Sequence, residues 1–234
     1  MLPVAILAGG LATRLRPITK TIPKSLIEIA GKPFIYHQLE YLRKQGVGSV
    51  VLCVGYLGEM IQDVVGDGSH WDMQVRYSFD GEIQLGTGGA LRQALPLLGD
   101  RFFILYGDSY LPINFLKVQE AFVESKKLGL LTVLKNQNKW DKSNVELVEG
   151  KIIEYNKLLT RPEMHHIDYG LGMLKRSALD GYSNTQPFDL SNVYNELSLA
   201  SQLAGHEVFE RFFEIGSNQG IADTQSFLLA KIGK

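Results

Sequence analysis

Apolar residues in the first 135 positions fall into short runs punctuated by glycine, and the stretches between them repeat at helical spacing. Val4–Leu7 has the length and composition of a buried strand and stops at Gly9-Gly10, where the backbone escapes the steric penalty on positive φ. Residues 26–29 predict a short strand and Gly31-Lys32-Pro33 a turn. Phe34, Ile35, Leu39 and Leu42 mark one face of a helix over 34–45, which Gly46 ends. Residues 50–54 are continuously apolar, the pattern of a parallel strand covered on both faces. A helix over Gly58–Val65, a strand over 73–79, a helix over 86–97 and a strand over Arg101–Tyr106 follow. A helix over 113–127 and a strand over Gly129–Lys135 complete the series. This alternation predicts an α/β fold: a doubly wound, Rossmann-like, mostly parallel sheet sandwiched by helices.

The pattern changes after residue 135. Residues 144–148, the turn Glu149-Gly150 and Lys151–Tyr155 read as a β-hairpin. A strand over 168–174, a helix over 190–204 without strong caps, short strands over 206–210 and 211–215, and a helix over 221–231 follow. No repeat, low-complexity run or flexible linker divides the chain. The expectation is one domain over residues 1–234, with a core over 1–135 and a smaller, β-rich lid part over 136–234 integrated with it.

Composition narrows the function. A hydrophobic fraction of 45% supports a sizeable core, and a net charge of −1 provides no global basic field for nucleic acid. The single cysteine, Cys53, lies inside an apolar run and reads as a small buried hydrophobe; one cysteine allows no internal disulfide. That fits a reducing cytoplasm. No signal-peptide pattern or membrane-length apolar run is present, so a soluble cytoplasmic protein without membrane partners is expected. A homo-oligomer stays open.

Residues 8–24 carry the strongest chemical signal. They hold Arg14, Arg16, Lys20 and Lys24, and no carboxylate appears until Glu28. A glycine turn at a strand end followed by uncompensated cations suits phosphate, because backbone N–H groups approach the oxygens while the cations supply charge. A plain connection with a solvated basic face is the simpler alternative, but the segment is long for a βα link. Neither a Walker loop nor a dinucleotide fingerprint is present.

LAGGLATRLRP, with PKSL farther on, resembles the signature L-A-G-G-x-G-T-R-L-x-P…P-K of sugar-1-phosphate nucleotidyltransferases, of the short bacterial type. Ala12 departs from it, standing where the family has glycine. The resemblance implies attack of a sugar 1-phosphate on the α-phosphorus of an NTP, with Mg²⁺ as cofactor. Leu7, Ala8, Gly9, Gly10, Leu11, Ala12 and Thr13 would then cradle the nucleotide, Arg14 would stabilise charge, and Lys24 would contact the reacting phosphate. LGTGGA, with Gly86, Thr87 and Gly88, is similar to the family element that closes over the nucleoside. Glu82 and Gln84, just upstream, could read a base edge, glutamate suiting guanine and an amide suiting uracil or thymine.

Asp108 matches the family's metal-binding aspartate, and Glu214 stands where a second aspartate is usual. On the sugar side the resemblance implies Lys157, Asn156, Tyr169 and Gly170. His165-His166 would point to opposite faces of a strand and read as surface residues. The relatives it looks most like are guanylyl- and uridylyltransferases acting on heptose or hexose phosphates for cell-envelope polysaccharides. Two alternatives remain: a catalytically silent nucleotide-sugar-binding regulator, favoured by Glu214 and Asn156, and a cytidylyltransferase acting on a non-sugar phosphate.

Overall fold

The computed structural model describes residues 1–183 and 186–232. The first strand, β1 (Val4–Leu7), leads through the long loop to two short strands, β2 (Glu28–Ile29) and β3 (Lys32–Pro33), and then to α1 (Phe34–Lys44). Then come β4 (Ser49–Val54), α2 (Gly58–Val65), β5 (Gln74–Phe79), α3 (Gly86–Leu98), β6 (Arg101–Tyr106), β7 (Ser109–Tyr110) and α4 (Phe115–Ser125). The remainder runs β8 (Gly129–Lys135), β9 (Val145–Val148), β10 (Lys151–Tyr155), β11 (His166–Lys175), α5 (Leu190–Leu199), β12 (Leu203–Val208), β13 (Phe213–Glu214) and α6 (Asn218–Ile232).

One nine-stranded sheet has the order β5-β4-β1-β6-β11-β8-β12-β10-β9. The strands β5, β4, β1 and β6 are mutually parallel, as the alternation predicts. The later chain re-enters the middle: β11 pairs antiparallel with both β6 and β8, so β8 never touches β6. A long apolar strand explains the insertion. Ile167, Tyr169, Leu171 and Met173 face one side of the sheet and Leu174 the other, and both sides are covered.

Side-chain alternation feeds two cores from single strands. Val4, Ile6, Val50, Leu52, Phe103 and Leu105 pack under α1, α2 and α4 through Ile35, Leu39, Ile61 and Phe115. Ala5, Val51, Cys53, Phe102 and Ile104 pack on the opposite face under α3 and α5, with Leu91, Leu95, Val193 and Tyr194. A third, small cluster (Ile29, Phe34, Tyr110, Ile215 and Leu228) fastens α6 to the short strands.

Two expectations need correction. The helix expected over 190–204 ends at Leu199, because Ser201 takes φ 55° and turns the chain into β12, parallel to β8. That helix is also well capped, Asp189 accepting a hydrogen bond from the Ser191 N–H. The second correction is His166, which is buried on β11 with its Nε2 3.2 Å from Glu207 Oε1; its acidic partner lies on a distant strand.

Candidate active site

The long loop is anchored at several points. Thr19 is buried and donates its hydroxyl to the Ala12 carbonyl at 2.8 Å, Leu15 is buried, and Tyr56 donates to the Lys20 carbonyl. Ala12 adopts the left-handed conformation, φ 46° and ψ 47°, so the departure from glycine carries backbone strain. These ties hold Thr13 and Arg14 over a cleft of about 980 Å³. Arg16 and Lys20 are exposed and stand outside its lining.

A smaller cavity of about 250 Å³ opens beside the loop at the ends of β1 and β4–β6. Leu7, Ala8, Gly9, Gly10, Cys53, Gly86 and Thr87 line it, together with Asp80, Gln84 and Lys24. Cys53 is fully buried and its thiol is pushed up to about 12 by desolvation, so it is an inert wall. The glycines of LGTGGA admit the segment before α5. A Cβ on Gly86, which has φ +71°, would sit 2.6 Å from the Phe188 carbonyl oxygen, and one on Gly88 would strike the Phe188 ring. The same carbonyl accepts the Gly88 N–H at 3.0 Å, and Thr87 Oγ1 accepts the Leu190 N–H at 2.8 Å. Glu82 lies in an exposed turn and lines neither cavity.

At the junction of the two compartments stand Lys24, Asp108 and Glu214. Gly107 makes this meeting geometrically accessible: a Cβ there would come within 2.8 Å of the Leu7 carbonyl oxygen, so only glycine lets β6 end against β1. Asp108 Oδ2 accepts from Lys24 Nζ at 2.6 Å and Oδ1 from Ser109 Oγ at 3.2 Å. The ribbon of β7 and β13 pairs Ser109 with Glu214, which brings the second carboxylate alongside. Glu214 accepts from the Gly216 N–H and from Ser217 Oγ at 2.7 Å. Where a Cβ on Gly216 would lie, Glu214 Oε2 is 2.7 Å away, Asp108 Oδ2 3.5 Å and Lys24 Nζ 3.8 Å. No cluster of three or more His, Cys, Asp or Glu groups with metal-site spacing forms among the described residues.

The large cleft continues past this point to Lys157, Tyr169 and Gly170, with Asp168, Tyr155, Asn144 and Trp140. Asn156 is not in the lining; its amide caps its own turn, accepting from the N–H groups of Leu158 and Leu159. Asp168 stands out. Burial raises its carboxyl to about 6, against the opposing pull of the Gly170 N–H and Lys157. Burial also acts on the neighbouring Asp189, but hydrogen bonds from Ser191 outweigh it and hold that carboxyl below its usual range. The buried Tyr169 hydroxyl has no hydrogen-bond partner among the described protein groups.

A family model described as Nucleotidyl transferase matches residues 4–143. The chain belongs to that family. It is 31% identical over 193 residues to D-glycero-alpha-D-manno-heptose 1-phosphate guanylyltransferase of Campylobacter jejuni, covering 82% of this chain and 84% of that protein. It is 41% identical over 111 residues to N-acetylmuramate alpha-1-phosphate uridylyltransferase of Neisseria meningitidis, covering 47% of this chain and 48% of that one. Among solved structures, HddC from Yersinia pseudotuberculosis complexed with GMP-PN shares the fold with a TM-score of 0.79 at 24% identity, covering 97% of this chain and 100% of that one.

Sequence reasoning missed several cavity and cleft groups in this nucleotidyl transferase: Asp80, Asp168, Asn144 and Trp140. A signal existed for Asp168, a lone acid within the otherwise apolar strand HIDYGLGMLK. Nothing in the local pattern marks Trp140 or Asn144. They reach the cleft from the β8–β9 connection. No helix among the described residues is long and apolar enough to cross a membrane.

Proposed function

We propose that the chain transfers a nucleotidyl group from GTP or UTP to a heptose or hexose 1-phosphate, releasing pyrophosphate and forming an NDP-sugar for cell-envelope polysaccharide. One observation carries this reading: Lys24, Asp108 and Glu214 meet between a glycine-lined cavity and a cleft lined by tyrosines and acids. The names of the relatives, guanylyl- and uridylyltransferases of sugar 1-phosphates, support it.

In this scheme an oxygen of the sugar phosphate bonds to the α-phosphorus while the bond to the β-phosphate oxygen breaks, and pyrophosphate carries that electron pair away. Catalysis then consists of alignment and charge stabilisation. The nucleoside enters the smaller cavity against Gly9, Gly10, Gly86 and Thr87. Arg14, exposed above the cleft, lies over the leaving phosphates. Lys24, held by Asp108 in the free protein, turns to the reacting phosphate. Lys157 holds the sugar phosphate, while Asp168 receives a sugar hydroxyl.

The donor set fits Mg²⁺. Two hard carboxylates converge, and phosphate and water can supply the remaining ligands. Asp108 and Glu214 would hold the ion, which when bound supplies charge neutralisation at the phosphates. The β7–β13 ribbon fixes the separation of the two carboxylates, and the hydrogen bonds to Glu214 orient its head.

The test is product identification by mass spectrometry after incubation with each NTP and a panel of sugar 1-phosphates. The expected result is an NDP-sugar whose formation requires both substrates. Nucleotide-sugar binding without product from any pair would favour the silent-regulator reading instead.

A further inference from the structure

We propose that Asp80 selects the base and that the base is guanine; this rests on the nucleotide reading above and names its substrate. Of the three polar residues near the turn after β5, Asp80 and Gln84 line the smaller cavity and Glu82 does not. Asp80 is placed at the cavity wall by β5, its N–H donating to the Val54 carbonyl at 2.9 Å. Gly9 and Gly55 leave the carboxylate open. Asp80 Oδ2 lies 3.4 Å and 3.1 Å from the points where a Cβ on each would sit, so any side chain there would crowd it.

The protein satisfies this carboxylate poorly. Its hydrogen-bond donor is the Leu85 N–H at 3.4 Å, beyond the usual range, and no ion pair among the described residues includes it. Burial raises its pKa, the mark of an under-compensated acid. An ionised carboxylate only accepts, and it pairs best with two parallel donors. Guanine presents N1–H and N2–H side by side. Uracil presents one N–H between two carbonyl oxygens, which a carboxylate repels. Adenine and cytosine present an amino group beside a ring-nitrogen acceptor. Gln84, whose Nε2 lies 3.5 Å from the Gly9 carbonyl oxygen, supplies an amide donor on the same wall for guanine O6.

The test is calorimetric titration of the full chain with Mg²⁺ and GTP, ITP or UTP. ITP keeps N1–H and lacks the 2-amino group. The wild type is expected to bind GTP tightest and ITP roughly tenfold more weakly, the discrimination typical of losing half of a bidentate base contact. Asp80→Asn should weaken GTP by roughly tenfold or more and narrow the preference over UTP, with an unfolding midpoint no lower than wild type confirming the fold. A GTP-to-ITP ratio near one, or UTP bound as tightly as GTP, overturns the proposal without any variant. A preference that shifts with Glu82→Gln and not with Asp80→Asn overturns it too. Failure of all three nucleotides to bind would overturn the nucleotide reading itself.

Discussion

The two compartments are built in opposite ways. The smaller cavity is walled largely by backbone and small residues at the ends of parallel strands, where Gly9, Gly86 and Gly107 let main chains touch. The outer cleft is walled by long side chains on antiparallel strands and connections: Lys157, Asp168, Tyr169, Trp140. Backbone recognition suits a ligand part common to many substrates, such as phosphates and ribose. Side-chain recognition suits the part that varies, since a side chain can be exchanged without moving the sheet. On the proposed reading the parallel half takes the parts common to nucleotides, with Asp80 adding base selection, and the inserted half discriminates the sugar. Lys24 and Asp108 form the boundary.

The sharpest way to break that division is Arg14→Ala. Charge-stabilising arginines in phosphoryl transfer contribute roughly 10³-fold or more to kcat, and a loss of that size is expected here with the KM for sugar phosphate nearly unchanged. A KM effect on the sugar phosphate alone would make Arg14 a sugar-phosphate ligand and not a group acting on the leaving phosphates. Lys157→Ala should do the reverse, raising the KM for sugar 1-phosphate by roughly ten- to a hundredfold, the worth of a charged hydrogen bond, while leaving NTP binding intact. Equal effects on both substrates would erase the boundary.

Asp168→Asn probes the cost of discrimination. Because its folded-state pKa is raised from 3.8 to about 6, wild-type stability from this group is full below pH 3.8 and is lost as pH rises through 6. The asparagine variant, never charged, should therefore be more stable than wild type by about 1–3 kcal/mol at pH 8, with the gain vanishing near pH 4, read by denaturant unfolding. A gain that persists at low pH would mean that charge is not its source. The smallest effect is expected at Ala12→Gly, which relieves a left-handed alanine and should stabilise by about 1 kcal/mol or less. Destabilisation there would mean that the methyl group contributes packing that outweighs the strain.

The same contrast governs what the sequence revealed. The nucleotide half was legible because close backbone approach demands glycine, and glycine clusters at strand ends are visible in one dimension. The strand alternation of that half likewise followed from apolar runs covered on both faces. The insertion of β11 between β6 and β8 was not legible, since a strand carries no mark of its neighbours. Asp80 escapes the sequence pattern because it precedes the turn that carries Glu82 and Gln84 beside the glycine element, and that turn exposes Glu82. Asn156 resembled a binding residue, yet its amide is committed to its own turn. The helix over 190–204 overran because nothing in the local spacing announces that Ser201 reverses the chain.

On this reading the two compartments act on one reaction joined at Asp108. Pyrophosphate release, followed continuously with GTP or UTP, Mg²⁺ and sugar 1-phosphates, tests it most directly. Release is expected to require both substrates and to collapse in Asp108→Asn while that variant keeps its unfolding midpoint. Release that ignores the sugar phosphate, or an Asp108→Asn protein with near-normal turnover, would contradict it.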